Sequence, residues 1–192
     1  MSRIGSISAG LAVAATAMMA CIGDAEVVAP DERDALFDLA GFVAYQDSVL
    51  SGVGVRKTVR VGDTEEVQVI EDVDWAAELA PFAGANVNKP ALTDAYAREV
   101  TEDGGASTIL LTALDSAERV RLVRIVCEGA AEDFDCPYGD VSAVDVETRF
   151  ESVIADTEQR LRWTRAGYEV VNRQRVVGRE ERVLAIRGEV EK

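Results

Sequence analysis

Hydrophobic and polar residues alternate along most of the second half of the chain, a pattern that predicts β-strands. Charged residues fall between the apolar ones, so the predicted sheet has one buried and one solvated face, and Arg and Glu should pair across strands on the solvated face. The apolar residues predicted to bury the other face are Val144, Val146, Phe150, Ile154, Leu161, Trp163, Leu184 and Ile186.

Short polar turns separate these runs at regular spacing, which predicts an antiparallel meander. A sheet of this kind hides one face under helices or curls into a partial barrel. The predicted strands are residues 95–100, 108–114, 119–127, 141–154, 159–164, 168–177 and 182–189.

The pattern in the first half of the domain has a helical period instead. The pattern over residues 31–50 predicts an amphipathic helix. The pattern over residues 53–61 and 67–70 predicts a hairpin whose apolar face is interrupted by Lys57. A second helix over 74–85 is capped by Asp74 and bent or limited by Pro81. The predicted fold class is α+β: an N-terminal helix and hairpin, then an antiparallel meander sheet, curved or half-barrel, packed by one or two helices.

The first 20 residues predict an export signal. An uncharged stretch from Ile4 to Ala20 follows Arg3 and ends directly before Cys21, which is typical of a bacterial lipoprotein whose cysteine becomes the acylated first residue. An ordinary secretory signal cut after Ala17 and an uncleaved membrane anchor are the alternatives. The predicted organisation is a signal peptide over 1–20, a tether over 21–30 and a single domain over 31–192.

The chain has three cysteines, an odd number for an exported protein. Acylation of Cys21 leaves Cys127 and Cys136, which we expect to form a disulfide in an oxidising compartment. Two reduced, buried cysteines are the alternative. A metal site is disfavoured because the spacing is not that of a C-x-x-C pair and no second pair exists.

Charge and composition exclude several classes of function. The chain has 35 acidic and 20 basic residues and a net charge of −15, so nucleic acid and anionic lipid headgroups are poor partners for its surface. Residues 21–140 hold 25 acidic and 9 basic side chains, whereas 141–192 hold ten of each. The chain contains no histidine, which removes Ser-His-Asp and Cys-His catalysis and histidine-ligated zinc.

No motif in the sequence indicates a catalytic residue, a cofactor or a metal ion. Carboxylates that lie close in sequence, such as Glu65 with Glu66, are expected from composition alone. The acidic loop over 132–140 has oxygen ligands that calcium accepts, but its spacing does not match an EF-hand. We therefore predict a solvated loop.

Several short motifs follow one another in a distinctive order, and they are Phe37-Asp-Leu-Ala-Gly-Phe42, Val73-Asp-Trp75, Glu78-Leu79, Phe82, Asn88-Lys-Pro-Ala91 and Asp94-Ala-Tyr96. This order resembles a group of small bacterial lipoproteins with no assigned activity. The resemblance covers residue 37 to the end and implies lipid anchoring, with no catalytic residues to carry over. Gly41 and Ala44 are smaller than the resemblance leads us to expect. The outline is also similar to periplasmic lipoprotein carriers with a half-barrel, by fold class alone.

Two functional classes remain. The favoured one is a non-enzymatic module in the bacterial cell envelope, anchored to the membrane by lipid and binding a lipid, a peptide or an envelope protein on its sheet. Ile22 after the cysteine, in place of Asp, favours the outer membrane. The alternative is a hydrolase that uses two carboxylates about 5–9.5 Å apart, one of them with a raised pKa.

The intact mass of the protein from its native membrane tests the anchor. We expect the mass of residues 21–192 plus an acyl-glyceryl group, increasing by two hydrogens when the Cys127–Cys136 bond is reduced. An unlipidated mass starting elsewhere would contradict the lipoprotein prediction.

Overall fold

The computed structural model describes residues 36–129 and 136–191, which form nine strands, three short α-helices and two 3₁₀ turns. The helices are α1 (Leu39–Val49), α2 (Trp75–Glu78) and α3 (Ala80–Gly84), and the 3₁₀ turns are Pro90–Ala95 and Tyr138–Asp140. The strands are β1 (Val55–Val61), β2 (Thr64–Ile70), β3 (Tyr96–Asp103), β4 (Ala106–Ala113), β5 (Val120–Glu128), β6 (Val141–Glu151), β7 (Ala155–Thr164), β8 (Gly167–Val176) and β9 (Arg182–Val190).

The strands form one open antiparallel sheet in the order β2-β1-β9-β8-β7-β6-β5-β4-β3. From β3 to β9 each strand pairs with the next along the chain. Except for the connection 129–140 between β5 and β6, the turns are too short for a crossover. The N-terminal hairpin extends the sheet because β1 pairs with β9. The predicted α+β fold with a meander sheet is confirmed.

Four turns lie at the same end of this sheet, which we call the hairpin end: residues 62–63, 114–119, 152–154 and 177–181. We call the opposite end the helical end, because α1 packs there against Trp163, close to the turn between β7 and β8.

Helix α1 starts later than the sequence predicts. Its N-cap is Asp38, whose carboxylate accepts a hydrogen bond from the backbone N–H of Ala40. Leu36 and Phe37 precede the helix and are buried in a non-helical conformation, and residues 31–35 lie outside the described part. Leu50 ends the helix, and Gly52 follows with φ 76°.

The predicted helix over 74–85 is two shorter helices. Asp74 caps α2 as predicted, by accepting from the N–H of Ala77. The helix breaks at Leu79, directly before α3, which has Pro81 in its first turn. Proline has no N–H and fixes its own φ, so it starts a new helix more readily than it continues one.

The hydrophobic core lies between the helices and one face of the sheet. Phe42 of α1 meets Trp163 of β7 edge-on, with ring centroids 4.8 Å apart. The largest fully buried side chains are Trp75, Phe42, Phe82, Leu39, Leu79, Ile109, Leu111, Ile125, Leu161, Val55, Val87 and Val123.

Two residues predicted for the core lie at the surface. Phe150 is 58% exposed and Ile154 is 69% exposed. Phe150 lies on the same face of β6 as the buried Val146. It is at the hairpin end, however, whereas α1 packs at the helical end. Ile154 is outside β6, in the turn before β7.

The signal peptide over 1–20, Cys21 and the tether over 21–30 lie outside the described residues, so these stay predictions. Among the described helices, none is both long and apolar enough to cross a membrane.

Cys127 of β5 and Cys136 form a disulfide with their Cα atoms 6.1 Å apart, and both are buried. Two residues after Cys136, the ring of Tyr138 packs on Phe37 and Phe42, with centroids 5.8 and 6.1 Å away. The disulfide therefore connects β5 to the aromatic cluster around α1.

Replacing both cysteines, Cys127→Ser with Cys136→Ser, should lower the free energy of unfolding by about 2–3 kcal/mol, since the closed loop no longer restricts the unfolded chain. Urea unfolding measures the change. Reductant should lower the stability of the parent protein by the same amount and leave the double variant unaffected. Equal stability of parent and variant would show that the bond does not constrain the fold.

Candidate functional site

The two faces of the sheet are covered differently. The face that carries Trp163 packs against the helices, and we call it the helix face. We call the opposite face, formed by the alternate residues of each strand, the outer face. No helix covers the outer face in the described part of the chain, and the residues there are exposed or half-buried.

A row of alternating charges crosses the outer face. Its members lie in register on the five adjacent strands β5 to β9, and they are Arg124, Asp145, Arg162, Glu169 and Arg187. We call this row the charge ladder. Its tightest pair joins Arg124 Nη2 to Asp145 Oδ2 at 2.7 Å, and Arg162 Nε lies 3.7 Å from Asp145 Oδ1.

Parallel rows repeat the arrangement towards the hairpin end. Arg160 Nε lies 3.6 Å from Glu147 Oε1, and Arg149 Nη2 lies 3.1 Å from Asp156 Oδ2. The Arg160–Glu147 pair, like other cross-strand pairs near the surface, contributes about 0.2–1 kcal/mol. The pairing of Arg with Glu and Asp predicted for the solvated face is present.

A groove of 670 Å³ lies along the charge ladder on the outer face. Half-buried apolar side chains from β4, β5 and β8 (Leu110, Leu122 and Val171) contribute to its lining, and charged residues border it. A second depression of 510 Å³ shares Arg162 and Glu169 with the groove and extends it towards the helical end.

The groove contains two neighbouring carboxylates but not the environment of a general acid. Asp145 and Glu147 lie on the same face of β6, and each is ion-paired with an arginine. A carboxyl group that stays protonated at neutral pH needs apolar surroundings or a second carboxylate close by. Among the described residues no carboxylate is buried, and the buried polar side chains are Gln46, Ser107 and Thr148.

Glu65, Glu66 and Asp140, the other described carboxylates considered from the sequence, are also exposed. Glu65 and Glu66 are neighbours on β2 and therefore point to opposite faces, and Glu65 pairs with Arg60. In the acidic loop, residues 132–135 lie outside the described part. Within 36–129 and 136–191 no group of three or more Cys, Asp or Glu side chains could hold a metal ion.

The helix face contains a polar cluster of Lys57, Glu78 and Tyr168. Only Lys57 could be identified from the sequence, as an interruption of an apolar face. Lys57, which interrupts the apolar face of β1, donates to both carboxylate oxygens of Glu78, at 2.8 and 2.9 Å. Tyr168 of β8 also donates to this carboxylate. The cluster attaches the end of α2 to two strands, β1 and β8, that are separated in the sheet by β9.

The position of Tyr168 depends on Gly188. The two residues lie opposite each other on β8 and β9, and a Cβ at 188 would overlap the tyrosine ring. Burial, followed by the hydrogen bond to Glu78, raises the pKa of Tyr168 well above its ordinary value. Burial, with a smaller effect of Glu118, raises the pKa of Tyr96 to about 12. A neutral phenol with a raised pKa donates hydrogen bonds but does not act as a base at neutral pH, so the cluster is structural.

No family model, curated protein or solved structure matches this chain. The resemblance to small bacterial lipoproteins therefore stays a prediction.

Alkaline titration tests the polar cluster. Tyr96 and Tyr168 keep their protons in the folded protein above pH 10.0, the ordinary pKa of tyrosine, whereas the unfolded chain loses them. The stability that they provide is complete below that pH and should fall as the pH rises towards about 12, the pKa of Tyr96.

Tyr168→Phe should make this loss of stability less steep, and Tyr45→Phe, at a partly exposed position, should not. Urea unfolding at a series of pH values measures the slope, and near-ultraviolet absorbance counts the ionised phenols. Ionisation of all four tyrosines together at the ordinary pKa, before unfolding, would contradict the burial of Tyr96 and Tyr168.

Proposed function

We propose that this chain is a lipid-anchored protein of the bacterial cell envelope, located at the outer membrane, that binds a peptide or protein segment in the groove on its outer face. The observation that carries the proposal is the groove itself, which combines half-buried leucine and valine side chains with paired charges and lies on a face that no described helix covers. Apolar surface bordered by charges is the composition of a protein-binding surface.

The dimensions of the groove fit an extended chain. It crosses five strands, β4 to β8, which lie about 4.8 Å apart, so it is about 19 Å long. An extended peptide of about six residues covers that length. Acyl chains are better accommodated by an enclosed apolar cavity. This groove is instead bordered by the charged side chains of Arg124, Arg160 and Glu169.

The charges of the groove favour a partner that carries acidic side chains. Arg173 lines the groove and forms no ion pair with another described residue, and Arg160 is held only loosely, at 3.6 Å from Glu147. An incoming carboxylate can pair with either arginine without breaking a tight internal bond. Such binding should weaken as the salt concentration rises.

The lipid anchor rests on Cys21 and its leader sequence. The 14 residues 22–35 span at most about 50 Å when extended. The domain would then work within that distance of the membrane surface.

Photo-crosslinking in cells tests the groove. A photoreactive residue at Leu122 or at Val171 should capture a discrete envelope protein. The same residue at Val69, an exposed outer-face valine on the edge strand β2, is the matched control and should not. Arg160→Glu together with Arg173→Glu should reduce the capture about tenfold, since charge reversal repels the acidic partner.

Equal capture from all three positions would contradict a specific site in the groove. So would the absence of capture from Leu122 and Val171 when the protein is present at its normal level. The Cys21→Ser variant should release the protein from the membrane while its purified form keeps the binding, which separates anchoring from recognition.

A further inference from the structure

Large apolar side chains are exposed mainly at the hairpin end of the sheet. The three most exposed are Val153 at 96%, Val177 at 76% and Ile154 at 69%. The large apolar side chains exposed in the four turns of that end or within two residues of them are Val61, Leu114, Phe150, Val153, Ile154, Val177 and Val183. Elsewhere in the described chain the exposed large apolar residues are Tyr45 and Val49 on α1 and Val67 and Val69 on β2.

The two central turns of this end form one connected unit, which we call the apolar tip: residues 150–154 and 177. The N–H of Val177 donates to the carbonyl of Ile154 at 3.0 Å, so the turn after β8 is bonded to the turn before β7. Within the first turn, Ser152 donates to the carbonyl of Ala155 through both its backbone N–H, at 2.8 Å, and its hydroxyl, at 3.0 Å. The aliphatic side chains are therefore held outward by a hydrogen-bonded backbone.

Four basic side chains balance four acidic ones around the apolar tip. Glu151 and Asp156 both pair with the single Arg149, and Glu181 pairs with Arg175. Arg179 and Arg182, two and five positions after Val177, form no ion pair with another described residue, and neither does Glu180 between them. The tip thus combines exposed aliphatic groups with two available guanidinium groups.

The overall negative charge of the protein is located elsewhere. Residues 141–192, which contain the apolar tip, hold ten acidic and ten basic side chains, whereas 21–140 hold 25 acidic and 9 basic ones. Repulsion from an anionic lipid surface is therefore weaker at the apolar tip than at the two outer turns of the hairpin end, 62–63 and 114–119, which carry Asp63 and Asp115.

We propose that the apolar tip inserts into the surface of a lipid bilayer, with Val153, Ile154 and Val177 among the outer parts of the acyl chains and Arg179 and Arg182 on lipid phosphates. Aliphatic side chains beside arginines are the composition of a segment that lies at a membrane interface. A protein partner would instead favour Trp, Tyr and Arg anchors seated in pockets. This contact is additional to the anchor and to the groove, and it uses none of their residues.

The dimensions allow the anchor and the apolar tip to contact the same bilayer. Phe37 packs at the helical end of the sheet, and β7, with its ten residues, spans about 33 Å from that end to the hairpin end. The 14 residues 22–35 reach up to about 50 Å. A sheet that stands on its hairpin end therefore leaves enough chain for Cys21 to return to the surface.

Tryptophan reporters test the insertion. The full chain is mixed with vesicles of equal parts phosphatidylglycerol and phosphatidylcholine, and the vesicle-bound fraction is isolated by flotation. Tryptophan introduced by Ile154→Trp or Val177→Trp should shift its emission to the blue and be quenched by brominated acyl chains. Val67→Trp and Val69→Trp, at exposed positions on the edge strand, are the controls and should show neither effect. The native Trp75 and Trp163 are buried and give a constant background.

The composition of the tip is tested by two further variants of the Ile154→Trp protein. Val153→Ser with Val177→Ser should reduce the quenching at 154 at least about fivefold, since most of the inserted apolar area is lost. Arg179→Glu with Arg182→Glu should reduce it in phosphatidylglycerol vesicles. Quenching at 154 equal to that at 67 and 69 in the bound protein would overturn the proposal. Because every reporter is read in protein already on the vesicle, failure here leaves the groove and the anchor untouched.

Discussion

The packing of three short helices against one end of one sheet face is the interaction on which the rest of this structure depends. Phe42 and Trp163 meet at its centre, and Trp75, Leu79 and Phe82 extend it. Full burial of each such side chain contributes about 1.5–3 kcal/mol, an upper estimate because denatured chains already bury some of this area. The helices span only part of a nine-stranded sheet, so the same packing decides which surfaces remain open: the outer face and, at the hairpin end, the turns 152–154 and 177–181.

The outer face remains soluble through charges that neutralise one another. A strand face without a covering layer needs polar side chains, and here Arg alternates with Asp and Glu across strands, so that attraction replaces the repulsion expected in a chain of net charge −15. The leucine and valine residues of the groove share its lining with arginine side chains, whose methylene groups can cover apolar surface while their charged ends stay in water.

Much of the fold could be predicted from the sequence because a one-sided sheet requires alternation. The strands over the second half were predicted with errors of a few residues at their ends. Alternation shows which side chains share a face of the sheet but not how much of that face the helices cover. Phe150 is therefore predicted for the core, although it lies where no described helix covers the sheet and is exposed. For the polar cluster of Lys57, Glu78 and Tyr168 the limit is different: both Lys57 and Tyr168 donate to Glu78, and these residues come from distant parts of the chain that only the fold brings together. The groove could not be predicted for the same reason, since its apolar lining comes from five strands, each with an ordinary pattern.

The pairing of β1 with β9 also has consequences for how this sheet is assembled. Arg56 and Glu191, 135 positions apart, lie 3.1 Å from each other across this pair. Contacts between such distant residues form slowly, because a long loop of chain must close before any of them is gained. Until β9 is in place, β1 and β8 both present unpaired backbone edges, and the N-terminal hairpin has no sheet to join. Synthesis therefore runs almost to the end of the described chain before the order of strands can be completed, although β3 to β8 need no later strand in order to pair.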